Sequence, residues 1–176
     1  MKTSVSKYIS CMIASILFLT VSYTVSAQTN TLQNLGAKGA LQDSSITLEK
    51  ALTYALQDEY AAQARCDAVI QKFGAVKPFV RIKKAEQSHI ETLLPLFKAY
   101  KVPVPKNQAA NLTEAPASLK AAFRVGIEKE TDHISMYTKL LETPGIPADV
   151  QRAMTTIRHA SLNHLAAFQA GLSRSE

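Results

Sequence analysis

Apolar residues recur three and four positions apart in four stretches of the chain, the spacing of a helical face turned toward a core. The first runs Leu48, Leu52, Ala55, Glu59, Ala62, Cys66, Val69 and Phe73. The second runs Phe79, Ile82, Glu86, His89, Leu93, Leu96 and Tyr100. The third runs Leu119, Phe123, Gly126, Glu130, His133, Tyr137 and Leu140, and the fourth Val150, Met154, Ile157, Ser161, His164, Phe168 and Gly171. No stretch alternates apolar and polar residues between turn signals, so strands are not expected.

The helix start and stop signals agree with these stripes. Thr47 suits an N-cap for the first helix, and Gly74 a stop just after Phe73. Pro78 suits the first turn of the second helix, which should end before "KVPVPKN". Residues 102–115, rich in Pro and Asn, are the longest connection. A third helix is expected from about Pro116 to Glu142 and a fourth from Pro147 to near Gly171. Pro95 should kink the second helix. Two tight turns flanking one longer crossover predict an all-α fold, an up-and-down four-helix bundle over residues 44–176 with the crossover between helices 2 and 3. Residues 28–43, polar and with two glycines, read as a loose leader.

Each stripe is apolar or small at its ends and polar in its middle. The interruptions are Glu59; Glu86 and His89; Glu130 and His133; Ser161 and His164. An ionised carboxylate buried alone is costly and must be paired or coordinated. Three carboxylates converge here, yet no Lys or Arg occupies any stripe, so a metal cation is the natural source of positive charge. Glu-x-x-His sets two donors about 60° apart on one helical face, and it occurs twice, as Glu86/His89 and Glu130/His133. With Glu59 and His164 the candidate metal ligands number three carboxylates and three imidazoles. Such oxygen and nitrogen donors suit Fe and Mn, and also Zn. One such motif on an exposed face would carry no meaning; it is the coincidence of all six on core stripes that points to a site. The alternative is a bundle with protonated carboxyls and hydrogen-bonded core histidines.

Counting residues back from the first turn sets Glu59 about 10 Å above Glu86 at ~1.5 Å per residue, which makes Glu59 the hardest ligand to place. His159 falls about 140° around the helix from His164 and should face elsewhere. Cys66 reads as a small buried hydrophobe. Tyr137, one turn past His133, reads as core within reach of a ligand, and Asp58 and Glu128, off their stripes, read as solvated.

Lys2 and Lys7 precede the apolar run "MIASILFLTV" and the small-residue site Val25-Ser26-Ala27, the order of a signal peptide over residues 1–27. The protein is expected to be exported, periplasmic or secreted, and to touch a membrane only during export. Cleavage near Ala27 takes 27 of 176 residues and leaves 149, a single-domain size. It also removes two of the 20 Lys and Arg and none of the 14 Asp and Glu, lowering the formal charge from +6 to +4. That excess forms no basic block, so no nucleic acid partner is expected. Cys66 is then the one remaining cysteine and has no intrachain disulfide partner.

The site residues carry a resemblance. "AEQSHIETLLPLFKAYKVPVP" (85–105) resembles the second helix of an uncharacterised prokaryotic ferritin-like, diiron-type family, with its Ser-Glu-Gln-Thr-His run and Tyr-Gly-Ile-Pro ending. "ASLNHLAAF" (160–168) resembles that family's closing signature Gly-Ser-Arg-Asn-His-Leu-Arg-Ala-Phe. "VGIEKETDHI" (125–134) is similar to its third helix, and "DEYAAQAR" (58–65) stands where it has a Glu-Glu-Lys-Leu-Ala-Arg run. The resemblance spans about residues 45–172. It implies a dinuclear iron centre held by Glu59, Glu86, His89, Glu130 and His164. His133 falls where the family usually has Asp, and Ser161 where broader ferritin-like proteins have Glu. Three carboxylates against two divalent cations leave about one positive charge, which favours a bound hydroxide or anion. The expected function is an exported di-metal protein, redox-active toward O2 or peroxide. The alternative is a non-catalytic metal-sequestering or structural helical module. Self-association into a homo-oligomer stays open.

Overall fold

The computed structural model describes residues 35–111 and 113–175; the expected signal peptide and the leader up to residue 34 lie outside them. The described residues hold five α-helices, which we number α1 (Gly36–Gln42), α2 (Leu48–Phe73), α3 (Phe79–Ala99), α4 (Leu119–Glu142) and α5 (Ala148–Ser173), and no strand. The all-α class is as expected, and the long helices start and stop close to their sequence signals. The Thr47 side chain accepts from the Lys50 N–H at 3.3 Å. The Ser118 hydroxyl accepts from the Ala121 N–H at 3.1 Å to begin α4. After Phe73, Gly74 takes a φ of 84°, open to glycine, and its N–H caps the Ile70 carbonyl. Helix α3 continues through Pro95 to Ala99.

Two features differ from expectation. Residues 36–42 of the expected leader form α1, which packs on α2 and α4 with Gly36, Ala37, Gly39 and Ala40 buried. The direction of the long helices also differs from simple up-and-down alternation. Gln63 bonds Gln87 at 2.8 Å and Asp67 pairs with Lys83, so α2 and α3 are antiparallel. Tyr100, at the end of α3, bonds Asp149, at the start of α5, at 2.6 Å. Lys72, at the end of α2, bonds the Pro116 carbonyl just before α4 at 2.8 Å. The crossover over residues 100–118 therefore travels the full length of the helices, and α3 and α4 run parallel: up, down, down, up. An extended chain covers ~3.3 Å per residue against ~1.5 Å in a helix, so the connection is long enough for that return.

The stripes are the core. In α5 the buried residues are the seven stripe positions, Val150 to Gly171. In α3, beyond Pro95, Phe97 is buried rather than Leu96. Apolar residues gather at the two ends: Cys66, Val69, Phe79, Ile82, Phe123 and Phe168 at one, and a larger group around Leu52, Leu93, Phe97, Met136 and Met154 at the other. The polar middle lies between them. At the first end the helices approach through glycine. A Cβ on Gly126 would lie 2.8 Å from Phe168 Cγ, and the Phe168 ring is itself held against Phe79 at 5.2 Å. We expect Gly126→Ala to lower unfolding stability by about 1–3 kcal/mol through overpacking, read as a lower urea midpoint; an unchanged midpoint would show that Phe168 yields freely.

Candidate metal centre

Four helices contribute side chains to the polar middle, and little of it reaches solvent: Glu59 and Glu86 are 0% exposed, His133 1%, Glu130 4%, and Asp58, His89 and His164 8% each. Glu86 and His89 share a face of α3 one short turn apart. His89 Nδ1 lies 2.8 Å from Glu86 Oε2 and 3.1 Å from Glu59 Oε2. The other Glu86 oxygen, Oε1, lies 3.1 Å from His164 Nδ1, which is also 3.6 Å from Glu130 Oε1. Two groups result, Glu59–Glu86–His89 and Glu86–Glu130–His164, in each of which the donor atoms lie within 4.8 Å of one another. Glu86 belongs to both.

The height offset expected for Glu59 is taken up by His89. In the register set by Gln63 and Gln87, Glu59 lies nearer the level of His89 than of Glu86, and the imidazole spans the gap.

His133, a candidate ligand by its spacing, belongs to neither group. Its Nε2 lies 3.2 Å from Glu59 Oε1 and its Nδ1 2.9 Å from Asp58 Oδ2, ion-pair distances at which the ring N–H groups are not aligned as hydrogen bonds. The expectation that Asp58 is solvated is therefore corrected. Its Oδ2 faces His133, while its Oδ1 accepts from the Ala37 N–H of α1 at 3.0 Å. Helix α1 covers Asp58 and makes it interior. Gly36 permits that fit: its φ is +52°, and a Cβ there would lie 2.6 Å from Asp58 Oδ1. On the other side of Glu59 the Tyr137 hydroxyl donates to Oε1 at 2.5 Å. Tyr137 is core, as expected, and reaches the candidate ligand Glu59. Glu59 thus has one oxygen held by Tyr137 and His133 and the other turned to His89.

The remaining positions follow the sequence. Ser161 is buried, but its hydroxyl donates to the Ile157 carbonyl at 3.1 Å within its own helix. His159 and Glu128 are exposed, and Glu128 pairs with Lys129. Cys66 is buried, and burial pushes its thiol pKa far up, so it is an inert core residue.

The residues fit a cation. Glu86 Oε1, Glu130 Oε2 and His164 Nδ1 are buried without a hydrogen-bond partner, and buried polar atoms of that kind are costly unless something pairs them. No Lys or Arg stands on the four stripes that carry these groups. Without a metal, the histidines supply the positive charge. Burial opposes charge on His89, but hydrogen bonds to Glu59 and Glu86 outweigh it and raise its pKa to about 9. His164 is likewise raised to about 9 by Glu130 and Glu86 against burial. His133 lies well above its ordinary value, burial again being outweighed, first by the charge of Glu59. Burial also opposes charge on Glu59 and Asp58, and His133 holds both below the ordinary carboxylate values. Burial, and then the Glu59 charge, raise Tyr137.

The sign of the pH dependence follows. A histidine whose folded pKa exceeds its unfolded value of 6.5 stabilises fully below 6.5 and loses that contribution as pH rises through about 9. We expect the urea midpoint of the metal-free protein to fall between pH 6.5 and 9. Metal affinity should rise over the same interval, because cation and proton compete for Nδ1. A metal-free midpoint that climbs over that range would contradict these proton positions.

Among solved structures, that of a hypothetical protein from Methanococcus jannaschii DSM 2661 is similar to this chain, with 20% identity, a TM-score of 0.66, and coverage of 76% of this chain and 84% of that one. At that identity the likeness concerns the fold alone. No protein-family model and no curated protein matches the chain.

Proposed function

We propose that the chain is an exported, ferritin-like four-helix bundle holding a dinuclear metal centre, with iron as the metal and O2 or peroxide as the reactant. One observation carries this reading: the two oxygens of Glu86 face different histidines, Oε2 toward His89 and Oε1 toward His164, so two donor groups share one carboxylate. Glu59 and His89 would hold one ion, Glu130 and His164 the other, and Glu86 both. The up, down, down, up order of the long helices supports a ferritin-like arrangement. When bound, such a metal pair supplies Lewis acidity and one-electron chemistry. The chain's own residues contribute the rest. Tyr137 and His133 fix Glu59, Asp58 fixes His133, and the apolar ends keep bulk water from the carboxylates.

Anaerobic Fe(II) titration of metal-free protein tests this, with two ions per chain and rapid O2 consumption afterwards as the expected result. Binding of fewer than about 0.2 ions per chain at micromolar Fe(II), where a site of even modest affinity (~−8 kcal/mol) would be about half filled, would reject it. Two ions bound without O2 consumption would instead support the second reading, a metal-sequestering module. That reading is favoured by Ser161, whose hydroxyl is committed to its own helix where a further carboxylate ligand would otherwise stand.

A further inference from the structure

Enclosure of the site is uneven. Glu59 and His133 are essentially sealed, on the side where α1 packs across α2 and α4; the 3-10 turn Ala109–Asn111 of the crossover also lies against α2. His89 on α3 and His164 on α5 keep 8% exposure each; Asp58 keeps as much, but its Oδ2, the oxygen that faces the site, is buried. Their rings stack at 5.8 Å with 29° between planes, side by side across the α3–α5 groove. Among the described residues neither extra element packs there to the same extent.

Both rings turn Nδ1 toward the carboxylates. That leaves Nε2 on the far side of each ring, where among the described residues it has no hydrogen-bond partner. With Nδ1 committed to a cation, the remaining ring proton sits on Nε2, a donor suited to an oxygen acceptor. The positions flanking the two imidazoles along α3 and α5 carry small side chains. Ala85 and Thr92 lie one turn to either side of His89, and Ala160 and Ala167 one turn to either side of His164; none is fully buried. Large side chains at these four positions would close the space over the imidazoles.

We infer that the α3–α5 groove is the entry route to the centre, taking divalent cations and then a small oxygen ligand such as water or peroxide past the Nε2 atoms of His89 and His164. This rests on the metal reading above. On the opposite side Glu59 and Tyr137 are sealed, and the site-facing oxygen of Asp58 is buried where α1 packs.

Stopped-flow uptake of Co(II), followed by its absorbance, tests the route in the metal-free full chain. Ala85→Leu and Ala160→Leu should slow uptake severalfold and leave the final stoichiometry unchanged. Ala166→Leu, at an exposed position of α5, should bind at the parent rate. Thr92→Trp, at an exposed edge of the groove, replaces either leucine variant if it does not fold by circular dichroism. Parent-like rates in the groove variants, or equal slowing in Ala166→Leu, would overturn the route. Failure of the unaltered protein to take up Co(II) overturns the metal reading itself, and is seen before any variant is compared.

Discussion

Glu86→Ala is expected to abolish binding of both metal ions, whereas Glu130→Ala leaves one. The asymmetry comes from the two Glu86 oxygens, each directed at a different histidine, while Glu130 lies in a single group. Removing Glu86 also strips the nearest carboxylate from His89 and one of the two beside His164. A single remaining carboxylate beside each imidazole neutralises too little of a divalent charge in a buried site. Titration with Co(II) or Fe(II), read as ions bound per chain, separates the two variants. Equal losses in both would mean that Glu86 is not shared, and would leave at most two independent sites or one.

Asp58→Ala should be among the most destabilising substitutions outside the ligand set, by about 3–5 kcal/mol in the metal-free protein, the cost of removing one partner of a buried ion pair. His133 would keep its charge beside Glu59 but lose the carboxylate 2.9 Å from Nδ1, and the Ala37 N–H would lose its acceptor. Asp58→Asn keeps an oxygen for Ala37 and loses only the charge, so a smaller loss is expected. In both variants the His133 pKa should fall, as followed by NMR titration. Denaturant midpoints measured on both check the order. If Asn proves as damaging as Ala, the charge on Asp58, rather than its hold on α1, is what stabilises the site.

The stripes made most of the long helices legible, because each is amphipathic and the first is bounded by local signals, Thr47 and Gly74. The polar middle was legible for the same reason. Glu59, Glu86, His89, Glu130 and His164 interrupt apolar stripes, and all five fall in the two donor groups. What could not be read locally depends on elements far apart in sequence. Helix α1 buries only glycine and alanine, so it has no strong apolar stripe, and its two glycines read as a loop. Asp58 lies one position off its stripe and is interior only because α1 covers it. The role of His133 then changes with Asp58: its place on the stripe was right, but a second carboxylate on its other face binds it to the support of Glu59. The direction of α4 was open because the crossover is long enough to return to either end.

The contacts of α1 also order events in time. Its N–H bond to Asp58 spans 21 residues, but Lys139, which holds the Leu41 and Asp43 carbonyls at 3.0 and 2.7 Å, lies 98 and 96 residues away. α1 precedes the other four helices in chain order and cannot be fully seated until α4 has been made and folded. The first of the described helices is thus held in part by a side chain 98 residues further along the chain, and the cover over Asp58 is complete only with α4 in place.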